Sequence, residues 1–331
     1  MIRARIPDAV LDAAHARSRA RAARDWTEAD RLKAVIENAG WKVVDRGTDF
    51  ALAPAAPPDV VDEGRVRYGS SAAVPSRLDE APVGTASVVM VATDRPEDVE
   101  AVLSALREHA PDGTQAVVVA NAPSTAQAVA LEALAAVDPG GPGIGTELVW
   151  TSARLGRAAA LNAGIRRAEA PIVVLLDETA EPLGDHVTPL AAALTDETVA
   201  VAGAWGMQVV DPGSGNLRRL EPAAGEADAI DGACLAFRRA DYVDRGPLDE
   251  QFRTDAWLDV WWSLVLREPR GTEPARRALA LAGLPVARRS GGLVPAAAGA
   301  DLAEKDRQSK RNYYRLLQRF RGREDLFQRG R

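Results

Sequence analysis

Cysteine is almost missing from this chain: one of its 331 residues, Cys234, is a cysteine. That excludes a disulfide framework and any cysteine-based zinc site. The three histidines, His15, His109 and His186, are scattered and make no ligand pair. Long apolar runs are lacking too. Residues 172–176 (IVVLL) are among the cleanest, and they fall far short of the ~20 that span a bilayer. No apolar signal core follows the opening MIRARIP, so a cytoplasmic protein is expected. There is no basic excess either. Lys and Arg number 41 against 47 Asp and Glu, a net charge of -6, which excludes a strongly basic nucleic-acid binder. What is present is ordinary for a folded protein: 47% hydrophobic and 27% charged residues rule out disorder along the whole chain. At about one domain per ~150 residues, the length predicts two units.

Composition divides the chain. Residues 1–53 are charged and short in period, and predict a small helical module with a hairpin. A basic helix over 9–24 comes first. A second helix starts at Thr27, with Asp30 at the capping-box position, and ends at Ala39-Gly40. Residues 41–44 and 50–53 then flank Gly47 as a hairpin would. Residues 54–84 are rich in Pro, Ala, Gly and Ser and read as a linker or a loosely held wrap. The main domain, 85–300, alternates strand and helix. Strands are predicted at 87–92, 116–120, 148–151 and 171–177, and helices after Asp94, over 125–136 and over 156–169. Such alternation predicts a mostly parallel sheet covered on both faces by helices. Residues 301–331 form a basic helix carrying Tyr313, Tyr314, Leu316, Leu317, Phe320, Leu326 and Phe327. It either docks on the domain or lies on anionic lipid as an amphipathic foot.

Two nucleotide signatures fail. The run Gly141-Pro142-Gly143-Ile144-Gly145 has no strand before it and no helix after it, so it reads as a turn. There is no GxxxxGK[ST] loop and no Gly-x-Ser-x-Gly elbow. The informative feature is where polarity falls. In an open parallel sheet, ligands sit beyond the C-terminal strand ends. Those ends carry Thr93-Asp94-Arg95, Asn121, Thr151-Ser152 and Asp177-Glu178-Thr179, whereas the strands are apolar. Hydroxyl, amide and carboxylate groups round one crevice suit a polyhydroxy, phosphate-bearing ligand.

Six segments, in order, carry a resemblance: 88–96 (VVMVATDRP), 117–122 (VVVANA), 156–165 (GRAAALNAGI), 174–179 (VLLDET), 232–239 (GACLAFRR) and 246–252 (GPLDEQF). Together with Asp259 and the helix around it, they resemble the family-2 glycosyltransferases of GT-A fold over roughly residues 86–267. The resemblance implies an α/β GT-A-like domain that moves a sugar, with inversion, from a nucleotide-sugar donor to a sugar, lipid-linked or other acceptor. It also implies Mg2+ or Mn2+ as cofactor. Asp177 and Glu178 would then approach the metal and diphosphate. Thr93, Asp94, Arg95, Asn121 and Asn162 would serve the donor, and Asp259 would be the general base, with Asp255 the next candidate. Trp257 and Trp261, four residues apart, would stack on the acceptor. Three positions depart from the family pattern: Thr179 stands for the usual second aspartate of the acidic motif, Ala120 for the aspartate near the nucleobase, and Ala256 at the common base position. They motivate an alternative, a non-catalytic GT-A-like nucleotide- or sugar-binding protein.

A shorter resemblance lies at the start. Residues 21–32 (RAARDWTEADRL), followed by Gly40-Trp41 and Val44-Asp45, are similar to the small C-terminal module of cysteinyl-tRNA synthetases. This implies RNA contact through Arg17, Arg19, Arg21 and Arg24; the alternative is a solvated helix face on a packing module. Nucleic acid is not the expected partner. The sites for the cytoplasmic protein to meet a membrane reduce to the C-terminal helix.

Overall fold

The computed structural model describes residues 6–46, 49–62, 64–92, 95–136, 144–211, 216–220, 225–289 and 299–327. Thr93 and Asp94 of the expected donor loop lie outside the described residues, as do 141–143 of the glycine-proline run. The chain forms two compact units, Met1–Ser70 and Ser71–Arg331.

In the first unit, α1 (Asp8–Ala22) and α2 (Trp26–Asn38) precede a hairpin of β1 (Trp41–Arg46) and β2 (Asp49–Pro54). The second helix starts earlier than the Thr27 box predicts. Its cap is Asp25, whose carboxylate accepts from Glu28 N at 3.0 Å. Val10, Ala13, Ala14, Leu32, Ile36 and Trp41 close a small core, with Val43, Phe50 and Leu52 packed against it. Among the arginines considered for RNA, Arg17 donates to Asp45 at 2.8 Å and Arg21 pairs with the same carboxylate. Both pairs hold α1 to β1. A short pair, β3 (Val60–Asp62) and β4 (Arg65–Arg67), occupies the first part of the expected linker.

The second unit begins with a strap over residues 71–84. It is not a loose linker. Arg77 N donates to Arg166 O at 2.8 Å, Val83 N to Glu169 O at 2.8 Å, and the buried Arg239 donates to the carbonyls of Arg77 and Glu80. Composition could not show this, because the strap's partners, Arg166, Glu169 and Arg239, are distant in sequence. Then follow β5 (Ala86–Ala92), α3 (Pro96–His109), β6 (Thr114–Ala120), α4 (Thr125–Ala136), β7 (Gly145–Trp150), α5 (Arg157–Ile165), β8 (Ile172–Leu176), β9 (Ala180–Pro182) and α6 (Val187–Ala193). The rest comprises β10 (Val199–Gly203), β11 (Gly206–Asp211), β12 (Asn216–Leu220), β13 (Gly225–Ala227), β14 (Ala229–Ile230), β15 (Cys234–Arg238), α7 (Arg239–Arg245), α8 (Leu258–Arg267), β16 (Arg277–Ala280), β17 (Val286–Arg288) and α9 (Gly299–Phe320).

The main sheet has eight strands in the order β13-β16-β10-β15-β8-β5-β6-β7. The pairs β8–β5, β5–β6, β6–β7 and β10–β16 are parallel; β15 runs antiparallel between β8 and β10. Every residue of β5 and β6 is buried, as continuous apolar strands under helices on both faces must be. On α3, the stripe Val99, Val102, Leu103 and Leu106 faces that core. Close packing explains one glycine of the 156–165 segment. A Cβ on Gly164 would lie 2.5 Å from Val89 Cγ1 and 3.0 Å from Val119 Cγ2, so α5 can settle on β5 and β6 only without it.

Candidate functional site

The site forms where β8 ends beside the start of β15. Cys234 pairs with Leu176, and one residue on Asp177 N donates to Ala233 O at 2.9 Å. This extension of the ladder turns the Asp177 carboxylate into a cavity of about 230 Å³. The same cavity is lined by Arg157 from the first turn of α5, Thr179, the Asp231-Gly232-Ala233 turn before β15, Asp255, Asp259 on α8, and Arg288 on β17.

Asp177 is fully engaged. Its Oδ1 accepts from Thr179 Oγ1 at 2.7 Å and from Thr179 N at 3.1 Å, while its Oδ2 accepts from Arg157 at 2.9 Å. Burial pushes this carboxyl up, but the Arg157 charge and the Thr179 hydrogen bonds outweigh it and hold it below the ordinary aspartate value. Arg157 also bonds Asp255, Nε to Oδ1, at 2.7 Å. The arginine side chain is 13% exposed and that of Asp255 is 78% exposed. One buried cation thus bridges a buried carboxylate and one that stands in solvent.

Asp259 differs. Its Oδ2 accepts from Gly232 N at 3.1 Å and its Oδ1 from Val260 N at 2.8 Å, and no cation is paired with it among the described residues. Burial, and then the nearby Asp231 charge, raise its carboxyl to about 7; the two amides oppose that shift without cancelling it. Gly232 makes this approach feasible, since a Cβ there would lie 3.2 Å from Asp259 Cβ. Asp231 is itself held, by Ala233 N at 3.0 Å and by Arg288 at 2.7 Å. The residue that starts α8, Trp257, has φ 68, the left-handed region that an L side chain seldom adopts. Its indole N–H reaches Ser309 Oγ at 3.3 Å and its ring packs 5.0 Å from Tyr313, so α9 holds this turn two residues before Asp259.

Three of the expected residues, Asp177, Asp255 and Asp259, therefore line the cavity; Trp257 lines a separate pocket with Tyr313 and Leu316. Others do not line it. Asn162 is buried, its amide donating to Leu248 O and Glu250 Oε1 and accepting from Tyr242 Oη and Leu248 N. It ties α5 to the 242–250 segment and has no capacity left for a donor. Asn121 clasps Leu155 through both its amide atoms, at 2.8 and 3.0 Å, and so shapes the loop before α5. Arg95 pairs with Asp98 at 2.6 Å at the start of α3. Glu178 is buried beside Asp177 but does not line the cavity. Trp261 is 5% exposed, packed on Phe252 and under Arg319, and is a core residue rather than an open platform. Sequence reasoning missed Arg157, Asp231 and Arg288. Arg157 stood inside a quoted segment, while the other two carry no local signal and meet only through the turn before β15 and the β9–β17 pair.

The C-terminal helix packs on the second unit through Leu316 and Phe320, with Tyr314 left exposed. Leu326, in the short turn after the helix, is buried as well. No helix among the described residues is long and apolar enough to cross a membrane.

The sheet order and site location define a GT-A-like α/β fold. The crystal structure of GalNAc-T7 with UDP, GalNAc and Mn2+ is similar at a TM-score of 0.52 and 14% identity, covering 71% of this chain and 48% of that one. Mannosyltransferase PcManGT from Pyrobaculum calidifontis, in complex with GDP-Man and Mn2+, gives 0.47 and 20%, over 64% of this chain and 58% of that one. S. aureus TarS gives 0.45 and 15%, over 60% and 35%. The chain thus spans less than two thirds of these proteins. No curated protein matches it in sequence. Residues 87–242 match the family described as Glycosyl transferase family 2. The matched residues all lie in the second unit, the one that carries the GT-A-like fold.

Asp177 and Glu178 do not by themselves make a divalent-cation site. Both Asp177 oxygens already accept from Arg157 and Thr179, and the position two residues on offers a hydroxyl instead of a carboxylate. Among the described residues there is no group of three or more His, Cys, Asp or Glu able to hold a metal ion.

Proposed function

We propose that the second unit transfers a sugar from a nucleoside-diphosphate donor to an acceptor hydroxyl, with inversion. The observation that carries this reading is the pair of unlike carboxylates in one cavity. Asp177 is held ionised by a cation, and Asp259 is uncompensated with its carboxyl raised to about 7. A general base works best when its pKa lies near the working pH, and Asp259 meets that condition. Its two backbone amides fix the carboxylate's direction, so the acceptor proton has a defined destination. The leaving diphosphate gathers charge as the sugar departs, and preorganised positive charge at the strand ends stabilises it. Arg157 is the buried cation there.

The nucleotide end would lie toward the exit of β5 and the loop that Asn121 clasps. A structure with UDP bound, that of GalNAc-T7, is similar to this fold, which supports a nucleoside-diphosphate donor. Incubation with a panel of UDP- and GDP-sugars and simple glycoside acceptors, read by mass spectrometry, tests the proposal; the product anomer by NMR tests inversion. Thr179, standing where the family pattern has an acid, favours a second reading, a protein that binds the nucleotide and does not turn it over. Saturable nucleotide binding without transfer or donor hydrolysis for any donor would select that reading.

A further inference from the structure

We propose that Arg157 receives the donor's diphosphate in place of a divalent cation, and that Asp255 is an internal anion which the diphosphate displaces from it. The inference rests on the glycosyltransferase reading of this cavity and deepens it.

The guanidinium is fixed on one side and free to exchange on the other. Its helix position is anchored, since Arg157 N donates to Arg253 O at 3.0 Å, and its Nη2 is tied to the buried Asp177 at 2.9 Å. Its Nε holds Asp255, whose side chain is 78% exposed. An ion pair to so exposed a carboxylate is weak and costs little to open. A phosphate oxygen can take the place of Asp255 at Nε and brings more charge, and a guanidinium is suited to such oxyanions. Once displaced, Asp255 passes into solvent, where it needs no other partner. The remaining charges agree with this assignment. Arg288 already neutralises Asp231 at 2.7 Å, and Asp177 stays paired with Arg157 throughout. Thr179 replaces a carboxylate that would repel the diphosphate unless a metal stood between them, and it binds Asp177 instead.

The test is calorimetry on the full chain with UDP and with GDP, in EDTA and in Mn2+. Wild-type affinity in EDTA is expected within about threefold of that in Mn2+. Asp255→Asn, which removes the competing anion at an exposed position, is expected to tighten binding by about 2- to 5-fold. Arg157→Lys, which keeps the charge but loses the fork, is expected to weaken it by about tenfold. Binding that appears only with Mn2+, or an Asp255→Asn chain that binds more weakly, overturns the proposal while leaving the glycosyltransferase reading intact. Absence of binding by wild type in both buffers overturns both. Asp255→Asn keeps the test decisive even if Arg157→Lys fails to fold.

Discussion

At the scale of single residues, the site turns on how two aspartates in one cavity come to differ. Asp177 has a cation within 2.9 Å and Asp259 has only amides and a like charge nearby. The sign of the consequence follows. Below about pH 7 Asp259 holds its proton and cannot accept another, so transfer should rise with pH through about 7. Asp231→Asn removes the neighbouring negative charge, and the limb should move to lower pH; a limb that stays put means Asp231 does not act on Asp259. Asp259→Asn should cut transfer by about 10²- to 10⁴-fold and leave nucleotide binding little changed. Unaltered turnover in that variant would remove Asp259 as the base. Stability carries the opposite slope. The folded chain keeps the Asp259 proton up to about pH 7, while the unfolded chain loses it near 3.8, so this group's contribution to stability falls as pH rises between them.

At the scale of elements, some residues expected to serve the donor or acceptor also tie one element to another. Asn162 makes four hydrogen bonds inside the fold. Asn162→Ala leaves buried partners unsatisfied and should cost about 3 kcal/mol, read by denaturant unfolding, with nucleotide affinity per folded molecule preserved. Lost affinity at unchanged stability would return Asn162 to the donor site. Trp257 is similar: α9 holds its left-handed turn through Tyr313 and Ser309. Tyr313→Ala should lower kcat by about tenfold or more through misplacement of Asp259, while nucleotide affinity holds. A kcat within twofold of wild type would show that α9 does not position α8. Much of this scale was legible in advance. Strands β5, β6 and β8 and the stripe on α3 announce themselves by apolar runs and spacing, because burial on both faces demands them. Asp177 and Asp259 were legible from flanking motifs. Arg157's partners, the Asp231–Arg288 pair and the core role of Trp261 were not, since each depends on which distant backbone arrives beside it. The same limit hid the strap, whose carbonyls accept from arginine side chains that are distant in sequence.

At the scale of the whole molecule, composition marks a change near residue 54, but the compact units divide between Ser70 and Ser71. The first unit has its own core around Ile36 and Trp41, and the second around the eight-stranded sheet. Truncation can separate the strap's role from that of the first unit. A chain starting at Ser71 keeps every bond of the strap, including Arg166 Nε to Val74 O at 2.7 Å and Arg239 to Glu80 O at 2.7 Å. It should unfold cooperatively and bind nucleotide as the full chain does. A chain starting at Ala81 leaves the buried Arg239 guanidinium without two carbonyl acceptors and Arg166 without one. Hydrogen bonds to a charged donor are worth about 1.5–3 kcal/mol each, so the loss should exceed about 3 kcal/mol. For a unit of this size that corresponds to a fall in Tm of roughly 6–12 °C, or to insoluble protein. Equal Tm values for the two truncations would show that the strap is dispensable and would move the functional boundary of the second unit back to the first strand of its sheet.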